Sequence, residues 1–232
     1  MEYELFSHRY AESILDGEPE FQETWTDIKN VIEGISEEKI VECFKEKHEG
    51  TTKSLSKTLN HLFKEAFVEK GWVSESSIFQ DREYSDNVWR LDFAKDNISI
   101  EVAFNHAGTI AWNLLKPVLA SELNHVEKNI QTKIGVIICA TKELQIAGNF
   151  DSAIGTFEKY KHHLIPLNNQ LTTPILLIGL KSPSNFKIER YYNDVRKQMG
   201  RIVQFSEEAI ASDLFEDDVE EMTIKDEDLD KI

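Results

Sequence analysis

Apolar positions in the first third of the chain recur at helical intervals. Phe21, Trp25, Ile28, Ile32 and Ile35 are spaced so that all five fall on one helix face. Leu55, Leu59, Leu62, Phe63, Ala66 and Phe67 make a second stripe, with the Thr51-Thr52 region supplying capping groups and Gly71 a stop. Both stripes are assigned to the core. The period then shortens. Residues 88 to 93 and 98 to 104 are rich in Val, Ile, Phe and Trp, and Ala94-Lys95-Asp96-Asn97 between them has turn chemistry, so a β-hairpin is predicted. After Gly108 a helical pattern returns with Trp112, Leu115, Leu119, Leu123 and Val126, packing across the sheet. Pro117 lacks a backbone donor and predicts a kink, or a division into two helices, near Lys116.

Residues 134 to 140 and 175 to 180 are continuous apolar runs, the pattern of strands buried on both faces. Between them lie a polar connection, Gly148-Asn149-Phe150-Asp151-Ser152, and a helix from about 153 to 165. The order hairpin, helix, strand, helix, strand predicts an α/β fold, a mixed β-sheet flanked by helices. The simplest division is one domain over residues 1–205, with a helical N-terminal part at 1–72 and a core at 73–205, followed by a tail at 206–232.

Charge first counts against nucleic acid, because the net value is −16 and DNA binding needs cations set against phosphates. The distribution changes the picture. Residues 206–232 hold 12 acids and 2 lysines, so the tail carries −10 and residues 1–205 carry −6. Such a block reads as a solvated, disordered tail, with occupation of a DNA cleft as a phosphate mimic as the sharper alternative. Cys43 and Cys139 are far apart and fit reduced thiols; no zinc spacing occurs. The start, Met1-Glu2-Tyr3-Glu4-Leu5, lacks the pattern of a signal peptide, and no apolar run approaches membrane-spanning length. A cytoplasmic protein without membrane association is expected.

Candidate chemistry centres on the predicted hairpin. Asp92 and Glu101 sit in its two strands, where cross-strand neighbours approach to about 5 Å. Paired carboxylates are hard oxygen ligands of the kind that holds Mg²⁺ for phosphate-ester chemistry. Two solvent-facing acids on an ordinary hairpin give the same spacing. The densest basic cluster is Lys187, Arg190, Arg196, Lys197 and Arg201, interleaved with Tyr191 and Tyr192. It reads as a phosphate-contacting segment or as a solvated helical face.

Several ordered blocks carry a family resemblance across about residues 55 to 180. Leu91-Asp92-Phe93 and Ile100-Glu101-Val102-Ala103-Phe104 are flanked upstream by Leu59-Asn60-His61-Leu62-Phe63-Lys64-Glu65 and Lys70-Gly71-Trp72. Downstream come Ile134-Gly135-Val136-Ile137-Ile138, Phe157-Glu158 and Pro174-Ile175-Leu176-Leu177-Ile178-Gly179-Leu180. In these the chain resembles the BglII/BstYI-type type II restriction endonucleases, of the PD-(D/E)XK-like nuclease superfamily. The resemblance implies Mg²⁺-dependent hydrolysis of double-stranded DNA at a short palindromic site. A symmetric homodimer follows from two-fold readout, with helices around 55–70 and 110–126 as its interface, and a cognate DNA methyltransferase is the implied partner.

The same resemblance implies roles for individual residues. Asp92 and Glu101, with the backbone carbonyl of Val102, would bind the metal. The third catalytic side chain of the family falls on Ala103, whose methyl group orients nothing. Lys116, Glu65, Asn105 and His106 are candidates to replace it, and Glu75, with Ser77 beside it, is the carry-over for a polar residue upstream of the aspartate. Base or backbone contacts fall on Asn105, His106 and Lys116, then Asn149, Asp151 and Ser152; charge density, apart from the resemblance, adds Arg190, Tyr191, Arg196 and Arg201 of the basic cluster. Ala103 also motivates a catalytically inactive DNA-binding protein, and the tail an acidic protein-interaction module.

Overall fold

The computed structural model describes residues 1–84, 86–122 and 125–205, so the acidic tail and Leu123 lie outside the described residues. In chain order the strands and helices are β1 (Tyr3–His8), α1 (Ala11–Gly17), α2 (Gln22–Gly34), α3 (Glu37–Cys43), α4 (Ser56–Glu69), β2 (Val73–Ser77), β3 (Arg90–Lys95) and β4 (Ile98–Val102). There follow α5 (Ile110–Ser121), β5 (Ile134–Ala140), α6 (Lys142–Ala147), α7 (Phe157–Leu167), β6 (Ile175–Leu180), β7 (Phe186–Tyr192) and β8 (Gln198–Gln204). A six-stranded sheet runs β1-β6-β5-β4-β3-β2, and β7-β8 form a separate hairpin. β4, β5 and β6 are parallel to one another, and the outer pairings are antiparallel, which makes the sheet mixed.

The apolar runs at 134–140 and 175–180 become β5 and β6, buried at every position because helices cover both faces. On one face Phe93, Ile98, Ile100, Val136 and Ile138 meet the stripes of α2 and α4. On the other, Ala103, Ile137, Cys139 and Leu177 meet α5 and α7 through Ile110, Leu114, Phe157 and Tyr160. The first predicted stripe is buried throughout, from Phe21 to Ile35. In the second, Leu55, Leu59, Phe63 and Phe67 are buried, so α4 directs its apolar face inward.

Local chemistry explains most boundaries. Gly71 at φ 81 ends α4 with Trp72 N–H on the Phe67 carbonyl and Gly71 N–H on Val68, a Schellman termination. At its other end α4 has no side-chain cap: Thr51 and Thr52 bond the His48 carbonyl instead, and the Leu55 N–H is taken by the Gly148 carbonyl. The predicted hairpin forms, with a tighter turn than expected. Ala94 and Lys95 stay in β3, and Asp96 at φ 48 makes the reversal with Asn97.

Four expectations are corrected. Pro117 sits inside one continuous helix, its ring against Gly135, where a Cβ would lie 2.4 Å from the proline Cβ. The buried positions of α5 are Ile110, Asn113, Leu114, Lys116, Pro117, Val118 and Ala120, so Trp112, Leu115 and Leu119 are peripheral, and the helix stops before Val126. The helix expected from 153 begins at Phe157, since residues 153–156 are drawn out to bridge neighbours: Ile154 pairs with His106 and Thr156 with Ala140. The basic cluster lies on the β7–β8 hairpin, not on a helical face, with Phe186 and Ile188 anchoring it to the core. Both cysteines are buried free thiols, and no helix among the described residues is long and apolar enough to cross a membrane.

Candidate active site

The site arises where the β3–β4 ladder opens. Pairing runs from Lys95↔Ile98 to Phe93↔Ile100, and one further step in that register sets Asp92 opposite Glu101. At that point the Asp92 carboxylate accepts the Val102 N–H at 2.7 Å, in place of a strand carbonyl. On the other flank Ser74↔Phe93 and Ser76↔Leu91 bracket Glu75 against Asp92. Glu75 takes φ 52, a left-handed conformation that is unusual for Glu and interrupts the ladder at the same level. A row of acids therefore crosses three strands.

Burial makes the Glu101 end of this row electrostatically costly. Glu101 is 2% exposed, and its Oε1 has no hydrogen-bond partner. Desolvation first, then the charge of Asp92, pushes its carboxyl up from 4.5 to about 8, against the lowering effect of Lys116. Asp92 is also raised by burial, opposed by the Val102 N–H and Lys116 and reinforced by Glu75. The cation answering these charges is Lys116, itself 9% exposed, whose Nζ lies 2.5 Å from Glu101 Oε2. α5 delivers it from the opposite side of the ladder opening, and Ala103 is packed in the core with Ile110 and Leu114.

An open cavity of about 200 Å³ adjoins Asp92, lined by Asn60, Lys64, Ser74, Glu75, Asp92, Phe93 and Val102. A divalent cation fits the donor set here, since a buried carboxylate with an unpartnered oxygen beside a half-buried one is stabilised by positive charge. Among the described residues no three His, Cys, Asp or Glu side chains converge as metal ligands, so further donors must come from backbone oxygen, water or substrate.

The remaining predicted residues divide. Glu65 is away from the site: it is exposed and bound to Lys47 at 3.3 Å and His61 at 3.0 Å, because it lies on a different side of α4 from Asn60 and Lys64. The Ser77 hydroxyl is engaged with the Phe79 carbonyl at 2.9 Å. Asn105 and His106 are exposed and lie against the 151–156 segment: Gly155 N–H bonds the Asn105 carbonyl and Ala107 N–H the Ala153 carbonyl. The two loops expected to face DNA are thus one joined surface. Asp151 and Ser152 are exposed on it, and the Asp151 carboxyl is lowered by accepting the Ala153 N–H.

Asn149 does not belong to that surface. It is buried, donates to the Lys53 carbonyl and accepts from Arg190 Nε at 2.5 Å, so both halves of its amide are occupied inside the protein. Arg190 is exposed, with its Nε engaged in the same contact. Arg201 forms a double contact with Glu189, Nη2 at 2.5 Å and Nε at 3.0 Å, which neutralises it. Arg196 and Tyr192 are exposed at the β7–β8 turn, with Tyr191 half-buried.

Sequence reasoning missed a buried relay behind the Asn105 loop. Asn113 donates to Tyr160 Oη at 2.8 Å and to Asn105 Oδ1 at 3.2 Å, and Thr109 adds a bond to the same oxygen at 2.8 Å. Asn113 at a buried position of α5 was the available signal. Asn60 and Lys64 were also missed, although their i,i+4 spacing sets them on one polar edge of α4.

The helix-flanked mixed sheet has counterparts among solved structures. A crystal structure of restriction endonuclease BglII complexed with a DNA 16-mer matches with TM-score 0.60 at 17% identity, covering 88% of this chain and 100% of that one. Free BglII matches with TM-score 0.50 at 16% identity, with the same coverage of 88% and 100%. Residues 3–180 match the family model for restriction endonuclease BglII/BglIII, and the chain belongs to that family. No curated protein matches at a significant level.

Proposed function

We propose that this protein is a type II restriction endonuclease of the PD-(D/E)XK type, akin to BstYI as well as BglII, which hydrolyses double-stranded DNA at a short palindromic site. It would act as a cytoplasmic homodimer beside a cognate DNA methyltransferase. The observation that carries the reading is the Asp92–Glu101 pair at the ladder opening, with Lys116 held on Glu101. Family membership supports the chemistry, and the DNA bound in the BglII complex supports the substrate class.

In this reading Asp92, Glu101 and the Val102 carbonyl would hold Mg²⁺, which when bound would supply Lewis-acid stabilisation of phosphoryl charge and activation of water. Glu101 must lose its proton to serve as a ligand, and Lys116 favours the ionised form. Lys116 also supplies the ammonium that Ala103 cannot, from a neighbouring helix rather than from the strand. The Val102 N–H holds one oxygen of Asp92, a residue that lines the cavity. Asn105, His106, Asp151 and Ser152 form the surface for base contacts, with Arg196, Tyr191 and Tyr192 at the hairpin tip. His106 Nδ1 accepts the Gly108 N–H at 3.0 Å, which leaves Nε2 to face DNA.

Ala103 favours a second reading, a catalytically inactive DNA-binding protein with the same fold. Digestion of a sequenced plasmid with Mg²⁺, against a chelator control, separates the two. Discrete fragments whose ends share one symmetric sequence support the endonuclease; intact plasmid with retained gel-shift activity supports the inactive binder.

A further inference from the structure

A second lysine, exposed and outside every ion pair among the described residues, lines the cavity. Asn60 and Lys64 are one turn apart on α4 and line the cavity beside Asp92, Glu75 and Val102. Both are exposed, and neither side chain makes a hydrogen bond or ion pair among the described residues. Their neighbours on the helix differ: His61 and Glu65 are engaged with each other and with Lys47. The other charges at the cavity are the carboxylates of Glu75 and Asp92, while Lys116 is pinned to Glu101 at 2.5 Å.

A phosphodiester entering this cavity brings another negative charge beside Asp92. Lys116 is buried on the α5 side and already paired, so the free cation lining the entrance is Lys64. We propose that Lys64 is a catalytic residue, donating from Nζ to a non-bridging oxygen of the scissile phosphate, with the Asn60 amide as a second donor. Charge accumulates on those oxygens in the transition state, and a flexible ammonium meets it without the desolvation penalty of a buried one. The assignment rests on the nuclease reading above. It gives the family's missing third side chain a division of labour: Lys116 governs Glu101, and Lys64 governs the phosphate.

The test is single-turnover plasmid cleavage, with enzyme in excess, by wild type, Lys64→Ala, Lys64→Arg and Asp92→Ala. Lys64→Ala is expected to slow cleavage about 10²-fold, the range for loss of one transition-state donor, and Lys64→Arg to recover most of the rate. Because Lys64 is exposed, the thermal midpoint should stay at the wild-type value. In metal-free gel shifts the slope of log affinity against log salt should fall by about 0.9 in Lys64→Ala, one phosphate contact. A Lys64→Ala rate equal to wild type, with Asp92→Ala inactive, overturns the Lys64 assignment and leaves the nuclease reading standing. An Asp92→Ala variant as active as wild type overturns that reading, and this assignment with it.

Discussion

Replacing Glu101 by Gln removes a charge that the metal-free fold holds at a cost. Glu101 is 2% exposed with one unpartnered oxygen, and its carboxyl is pushed up from 4.5 to about 8 by burial and by Asp92. A carboxyl whose folded pKa exceeds its unfolded value contributes fully below about pH 4.5 and loses that contribution as pH rises through about 8. At about 1.4 kcal/mol per pH unit, the loss reaches about 2 kcal/mol by pH 6 and about 4 kcal/mol by pH 8. Loss of the Lys116 contact in the variant is an offset of its own, so the informative quantity is the change between the two pH values. Glu101→Gln should therefore gain about 2 kcal/mol on wild type from pH 6 to pH 8. Urea unfolding in chelator at pH 6, 7 and 8 reads this directly. Adding divalent cation at pH 8 to ten times its Kd should restore about 1.4 kcal/mol to wild type and nothing to the variant. Parallel pH profiles, or equal rescue of both proteins, would refute the claim that Glu101 is a strained carboxylate awaiting a cation.

Two further changes separate catalytic from structural roles. Lys116→Met should cut the cleavage rate at least about 10²-fold at neutral pH and shift the rising limb of the pH–rate profile upward, since Glu101 then ionises less readily; an unmoved profile counts against Lys116 as its partner. Asn149→Ala should cost about 1–2 kcal/mol in urea unfolding, from the Lys53 carbonyl and Arg190 left unpaired, while leaving the cleaved sequence unchanged; a relaxed sequence preference would return Asn149 to the DNA surface.

The legible parts of the fold were those whose local pattern and tertiary environment agree. β5 and β6 are apolar throughout because both faces are covered, and the stripes of α2 and α4 match their buried faces. Asp92 and Glu101 were singled out by the family resemblance acting on a predicted hairpin, whose turn fixes their register within a few residues; spacing alone also fitted two solvent-facing acids. β2, Val-Ser-Glu-Ser-Ser, carries almost no apolar signal and is a strand because β3 pairs with it. β1 is an edge strand, half-exposed along most of its length, and equally faint. α5 misled for a chemical reason: its buried face holds Asn113, Lys116 and Pro117, two polar residues and a helix breaker, so apolar spacing followed the wrong side. Asn149 looked like a turn residue able to read a base, and only tertiary contacts from Lys53 and Arg190 reveal that its amide is occupied.

The central claim is that Asp92 and Glu101 together hold a divalent cation against the DNA backbone, and one comparison reaches it most directly: Mg²⁺-dependent cleavage of a single plasmid by wild type, Asp92→Ala and Glu101→Ala, with DNA binding checked in parallel. The account predicts that wild type gives discrete fragments while both variants bind DNA and leave it intact. Cleavage by either variant at the wild-type rate would contradict it.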